Sequence, residues 1–233
     1  GIVVWNGLKQ NVTIQNCEVY NNNCCGIELQ DGTASGINVL NNNVYNNADN
    51  GIGLNGVKGG TGANVVTGNT VSNNGRFGIE VKNANADGTN AGVNSFVISG
   101  NTVSLTPTVG MNNRDHAGIS VYRRAFQTGN PDGYPDIPTG VVITTNTVTG
   151  FQQLNPSSTE SKGYGIVVEG TNHEVTGNTI NNSDIGIQEQ GGAHPNANYV
   201  PNNLGDANQT DGFSANYFGR GNAPAACGNL IGS

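Results

Sequence analysis

The chain has 233 residues, with 36 Gly, 40 Asn, only 11% charged residues and a net charge of −7. Nine basic residues are too few to form the clustered electrostatic footprint that nucleic-acid binding needs, and no run of about 20 apolar residues is present for a helical membrane span. A composition this polar would leave a chain disordered if its apolar residues were scattered, but Ile and Val here recur at strand spacing, which predicts a narrow, regular core.

The first coil reads "GIVVWNGLKQNVTIQNCEVYNNN", and "GIELQDGTASGINVLNNNVYNN" follows it. A Gly-Ile strand opening recurs at Gly1, Gly26, Gly51, Gly78, Gly118, Gly165 and Gly186, at spacings of 25, 25, 27, 40, 47 and 21. After each of the first six comes a second strand ending in Asn-x-Val or Asn-x-Ile, at Asn42, Asn69, Asn101, Asn146 and Asn178. In the first coil Asn16-Cys17-Glu18-Val19 reads as one residue longer. Helical periodicity is absent, and Gly and Asn at this density penalise helices. A unit of 20 to 25 residues with two or three short strands cannot bury its apolar face alone; stacked copies can. The expected fold is therefore all-β: a parallel β-helix of about seven coils, with Ile and Val stacked inward and Asn at tight corners.

The coils are expected over residues 1–190. The inward slot filled by Val168 becomes Glu189, so the apolar core is expected to stop there, and residues 191–233 read as an irregular C-terminal cap of the same domain. The chain opens inside a strand pattern, which reads as part of a longer protein whose upstream segment covers the first coil. Cys17, Cys24, Cys25 and Cys227 are few for a disulfide scaffold. A Cys17 bridge to Cys24 or Cys25 is easier than a vicinal one, and no spacing resembles a zinc site.

The pattern "GIxV…VxIxxNxV" resembles the right-handed parallel β-helix repeat family, pectate-lyase-like and mannuronan-epimerase-like proteins included. The resemblance covers about residues 1–190. It implies a secreted or surface-displayed protein and is nearly silent on activity. The Asp-Pro-His motif of the epimerases is absent, "RDHAG" sharing only an acid and a His, and no catalytic Arg region of the pectate-lyase kind is present.

Strand alternation places the third and fifth residues of each Gly-Ile strand outside the core. The fifth position reads Trp5, Gln30, Asn55, Lys82, Tyr122, Glu169 and Gln190; the third includes Glu28, Glu80 and Ser120. Such a row suits a polysaccharide groove, aromatics stacking on sugar faces while amides and charges bond hydroxyls and carboxylates. An ordinary wet sheet face is the other reading. The candidate substrate-binding residues are Trp5, Gln30, Asn55, Glu80 and Gln190.

Long insertions swell the interval from Gly78 to Gly165, and five of the nine basic residues fall between Lys82 and Lys162. Functional residues on repeat proteins gather where insertions project. A uronate lyase or epimerase needs a cation on the sugar carboxylate and a base for the adjacent proton. Arg123 or Arg114, with Tyr122, Lys82 or His116, could supply them. A glycosidase would need close carboxylates, and Glu80, Asp115 and Glu169, the acids available, are not visibly paired, so the lyase or epimerase reading fits better. The candidate catalytic set is Tyr122, Lys82, Arg123, Arg114, His116 and Glu169. A loop held by an internal ion pair is the competing reading of Arg114-Asp115-His116, and His173 and His194 read as structural or solvated. No cofactor is demanded. Calcium is the one the sequence leaves room for, through Asp87, Asp132 and Asp136 in turns, which are also ordinary turn formers. The expected partner is a polysaccharide, outside the cell; a non-catalytic surface or adhesin module is the alternative.

Overall fold

The computed structural model describes residues 1–5, 7–30, 34–57, 64–82, 84, 96–106, 115–122, 138, 140–152, 163–169 and 173–189, together with the short strands Asn208–Gln209, Tyr217–Gly219 and Leu230–Ile231. Among the described residues there is no helix, and the strands form a right-handed parallel β-helix. Each coil contributes one strand to each of three sheets. The Gly-Ile sheet runs in order Ile2–Trp5, Ile27–Gln30, Ile52–Asn55, Phe77–Lys82, His116–Tyr122, Gly163–Val168 and Ile185–Glu189, closed by the antiparallel Tyr217–Gly219. A second sheet runs from Thr13–Gln15 to Asn208–Gln209 and a third from Glu18–Tyr20 to Leu230–Ile231, each of seven strands.

Register follows the sequence repeat. Ile2, Ile27, Ile52, Ile79, Ile119, Ile166 and Ile187 pair rung by rung, and all but the first are buried. Burying one such side chain is worth about 1.5–3 kcal/mol, so the fold rests on the stack and not on any one coil. The Gly before each Ile has a steric reason. A methyl group on Gly26, Gly51, Gly78, Gly118 or Gly165 would collide with Val44, Val71, Val103, Val148 or Ile180, the inward residues of the third sheet. Gly36-Ile37 is the same dipeptide in a different role, with Gly36 at φ +64° at a corner.

The corners divide their work between two adjacent positions. Asn16, Asn41, Gly68, Gly100, Thr145 and Gly177 carry the positive φ. The residue after each forms a buried ladder: Asn42, Asn69, Asn101, Asn146 and Asn178. Each Nδ2 donates to the Oδ1 of the next rung at 2.9–3.0 Å, and the same Oδ1 accepts the backbone N–H below it. The second Nδ2 hydrogen goes to a carbonyl of the preceding coil, Val39 for Asn69 and Val66 for Asn101, both at 2.9 Å. Asn16 therefore aligns with Asn41, and Cys17 takes the ladder position, its N–H donating to Asn42 Oδ1 at 3.0 Å. The first coil is not one residue longer; it has Cys where the others have Asn. A second ladder, Asn22, Asn47 and Asn74, marks the next corner.

Cys17, Cys24 and Cys25 are free thiols. Cys17 Sγ lies 3.3 Å from the Gln15 carbonyl, and the bridge weighed for it is not formed. Cys227 lies outside the described residues. His173 is fully buried, its Nδ1 accepting from Val141 N–H at 3.2 Å, so its Nε2 carries the proton given to the Glu169 carbonyl at 2.9 Å.

Replacing Asn101 by Ala leaves the N–H and one Nδ2 hydrogen of Asn69 without an acceptor inside the wall, at a cost of about 3–5 kcal/mol from two unsatisfied groups. The exposed Asn43, changed the same way, should move stability by less than about 0.5 kcal/mol. Urea denaturation decides: equal losses at the two positions would dismiss the ladder as a stabilising element. Thr145 is the one β-branched residue of its corner row at positive φ, a conformation that costs an L residue about 1–2 kcal/mol. Thr145→Asn is expected to raise the unfolding free energy by about 0.5–1 kcal/mol, read in the same denaturation.

Candidate functional site: a cleft on the outer face of the Gly-Ile sheet

The first three Gly-Ile strands are four residues long, whereas Phe77–Lys82, His116–Tyr122 and Gly163–Val168 have six, seven and six. The added residues precede the Ile: the Gly itself and the one or two residues before it. Pairing skips Gly78 and Gly118, joining Phe77 to Ala117 and Ala117 to Tyr164 before resuming at the Ile row. The residue before each Gly thereby projects outward. Phe77, Ala117, Tyr164 and Ile185, with the outward Val167, form an apolar cluster separate from the main core.

A cleft of about 160 Å³ opens beside this cluster. Phe77, Tyr122 and Tyr164 supply its aromatic lining, and Ser120 and Val167 lie between them. The Phe77 and Tyr122 rings stand 6.4 Å apart at 51°. Three charged residues complete the lining: Arg76, Asp115 and Glu169. The Arg76 guanidinium sits 4.5 Å from the Phe77 ring centroid, a cation–π contact worth about 0.5–2 kcal/mol. Its Nε is buried with no hydrogen-bond partner. Burial, then the charges of Asp115 and Asp184, push the Tyr164 phenol up to about 12. At neutral pH it is a proton-bearing donor and not a base.

The candidate residues scatter relative to this cleft. Tyr122 and Glu169 line it. Lys82 and Glu80 lie one coil before Tyr122 and bind each other at 2.8 Å, while Asn50 Nδ2 donates to Glu80 Oε2 at 2.6 Å. The Lys82 ammonium is thus engaged by the Glu80 carboxylate. His116 is buried at the head of its strand. Asn55 and Glu80, expected on the accessible face, are only 3% and 1% exposed. Alternation puts them outside the core, but neighbouring groups cover them. Gln30 is half-buried and Trp5 is 64% exposed, four rungs from Tyr122 in the row, roughly 19 Å at 4.8 Å per rung. Arg114, Arg123, Gln190, His194, Asp87, Asp132 and Asp136 lie outside the described residues.

Arg76, Phe77 and Tyr164 escape a reading that starts each strand at Gly. The signal was present in the residue preceding each Gly: Cys25, Asn50, Phe77, Ala117, Tyr164 and Ile185. Its change at Phe77, from Cys or Asn to aromatic or apolar residues, marks the coil where the outer face becomes a cleft.

Fold and cleft together define a parallel β-helix carrying a polar-aromatic depression on one outer sheet. The chain belongs to the right-handed β-helix family: a family model described as "Right handed beta helix region" matches residues 1–126. That match includes Phe77, Asp115 and Tyr122 and ends before Tyr164 and Glu169. No curated protein and no solved structure gives a significant match. Among the described residues no helix is long and apolar enough to cross a membrane.

The Tyr164 shift sets an alkaline signature. The folded phenol, at about 12, binds its proton more tightly than an unfolded Tyr near 10. Its contribution is therefore complete below about pH 10 and is lost as pH rises towards about 12. Unfolding free energies of wild type and Tyr164→Phe between pH 9 and 12 test this. The variant should lose less stability over that window, and parallel curves would refute the shifted phenol.

Proposed function

We propose that the protein binds a polysaccharide along the Gly-Ile sheet, with the cleft as its principal subsite, and that it acts outside the cell, where such polymers lie. The observation that carries this reading is the convergence in one depression of an aromatic wall, Phe77 and Tyr122, with three hydrogen-bonding groups, Arg76, Asp115 and Glu169. Aromatic faces take the apolar face of a sugar ring, and charged groups bond its hydroxyls. The exposed Trp5 offers a further stacking platform at the other end of the row.

The lining also bears on which polymer. Two carboxyl groups against one guanidinium give the described cleft walls no surplus of cationic groups to hold a polyuronate, which suits a neutral chain. With a neutral chain the available chemistry is hydrolysis, Asp115 and Glu169 dividing the roles of acid and base. Elimination or epimerisation of a uronate is the second reading, supported by Arg76. That guanidinium could neutralise the sugar carboxylate while Tyr122 takes the adjacent proton. Lys82 is less suited to that base role, being held by Glu80.

Affinity electrophoresis in gels containing neutral or uronate polysaccharides, with product masses measured after incubation with and without calcium, tests the reading. Retardation by a neutral polymer, weakened about tenfold by Tyr122→Ala, is the expected result; tenfold corresponds to about 1.4 kcal/mol, in line with one aromatic contact. Chains shortened with added water, and spared by Asp115→Asn or Glu169→Gln, would establish hydrolysis. Unsaturated ends would establish elimination instead. Binding without mass change leaves a binding module, and no retardation by any polymer overturns the proposal in favour of a non-catalytic surface module.

A further inference from the structure

Two coils before the cleft, the turn into the second Gly-Ile strand gathers three groups that polysaccharide binding does not use. Cys24 Sγ and Cys25 Sγ are 3.6 Å apart, and these sulfurs and a Glu28 carboxylate oxygen all lie within 4.8 Å of one another. Neither Cys is in a disulfide, whose sulfurs would stand about 2.05 Å apart. Two thiolates on one tetrahedral ion, each about 2.3 Å from it, are separated by roughly 3.8 Å. The observed spacing is close to the latter.

We propose that Cys24, Cys25 and Glu28 form a binding site for a thiophilic divalent cation of the Zn²⁺ or Cd²⁺ class. The surroundings suit such an ion. Cys24 is exposed and gives it a way in, Cys25 is buried beneath the next coil, and Glu28 is half-buried between them and the sheet face. Gly53 occupies the rung after Glu28, so that rung adds no side chain of its own, and the Asn50 amide lies over the glycine. Asn50 follows Cys25 by one coil in the same outward row. It is 3% exposed, and with its Nδ2 given to Glu80 its Oδ1 has no hydrogen-bond partner. That oxygen, one rung away, is of the kind that accepts from a metal-bound water. Two sulfur ligands and one carboxylate leave a fourth position open, as in a site that keeps a water.

The test uses the full chain, reduced and stripped with chelator, titrated with Cd²⁺ while the thiolate-to-metal charge-transfer absorption is followed. Zn²⁺ is then competed against a chromophoric chelator. The expected result is saturation at one ion per chain, with the absorption lost in Cys24→Ser and in Cys25→Ser. Glu28→Gln should weaken affinity by about tenfold or more, and Cys17→Ser and Cys227→Ser should bind as wild type. Cys24 and Glu28 are not buried, so their variants keep the test sound if Cys25→Ser fails to fold, which circular dichroism would report. Absence of the absorption overturns the proposal, as does absorption that survives Cys24→Ser. A reduced chain that closes a Cys24–Cys25 disulfide, read as the loss of two hydrogens by mass, in preference to taking up either ion, also overturns it.

Discussion

Saturation of the buried corner amides is the constraint on which the rest of this molecule depends. A primary amide inside a protein wall has two donor hydrogens and an oxygen with two acceptor sites, and each one left empty costs about 1–3 kcal/mol. Along Asn69, Asn101 and Asn146 each amide oxygen receives two N–H groups from the coil before it. Each amide nitrogen gives one hydrogen forward and one to a carbonyl behind. The arrangement closes only when successive coils are in register. Because strand side chains alternate with a period of two, a slip of one residue would turn every Ile of the core to the outside. Ladder and core therefore enforce the same register.

That constraint is indifferent to how much chain lies between rungs. The amide bond from Asn42 to Asn69 spans 27 residues and the one from Asn101 to Asn146 spans 45, yet their lengths are 3.0 and 2.9 Å. Insertions are absorbed outside the ladder, and loop-closure entropy grows only slowly with length. The long segments are thus confined to the coils that also carry the cleft, while the scaffold beneath them keeps one geometry.

The cleft arises from the same steric rule that writes Gly before each Ile. The third sheet's Val residues leave no room for a side chain at that position, so the chain turns there and the preceding residue leaves the core. In the early coils that residue is Cys25 or Asn50, and the outer face is polar. From Phe77 onward it is aromatic or apolar, and an apolar cluster forms outside the core. Charged groups laid against that cluster are partly desolvated. Arg76 rests on Phe77, and burial, with Asp115 and Asp184 behind it, raises the Tyr164 phenol. The outer sheet face thereby acquires a depression in which electrostatic contacts are strengthened.

The period, the stacked Ile row, the corner Asn residues and the parallel solenoid were legible in the sequence, because a repeat that buries its face only by stacking prints the same residues once per coil; that each coil lays its strands into three sheets was not. Alternation likewise identified Tyr122 and Glu169 as outward-facing, and both line the cleft. What the sequence could not determine is how outward residues treat one another. Glu80 and Lys82 stood as separate candidates, and only their contact across two positions of one strand shows the cation already spoken for. Asn55 and Glu80 counted as accessible, although burial outside the core depends on what neighbouring coils lay over them. Arg76, Phe77 and Tyr164 fell before the Gly that a linear reading takes as the strand's beginning. The meeting of Cys24, Cys25 and Glu28 likewise depends on how one turn is folded. Sequence alone determined which residues repeat, since the core demands it of every coil; tertiary structure decided which of the non-repeating residues converge, since that follows from distances across rungs that no spacing along the chain records.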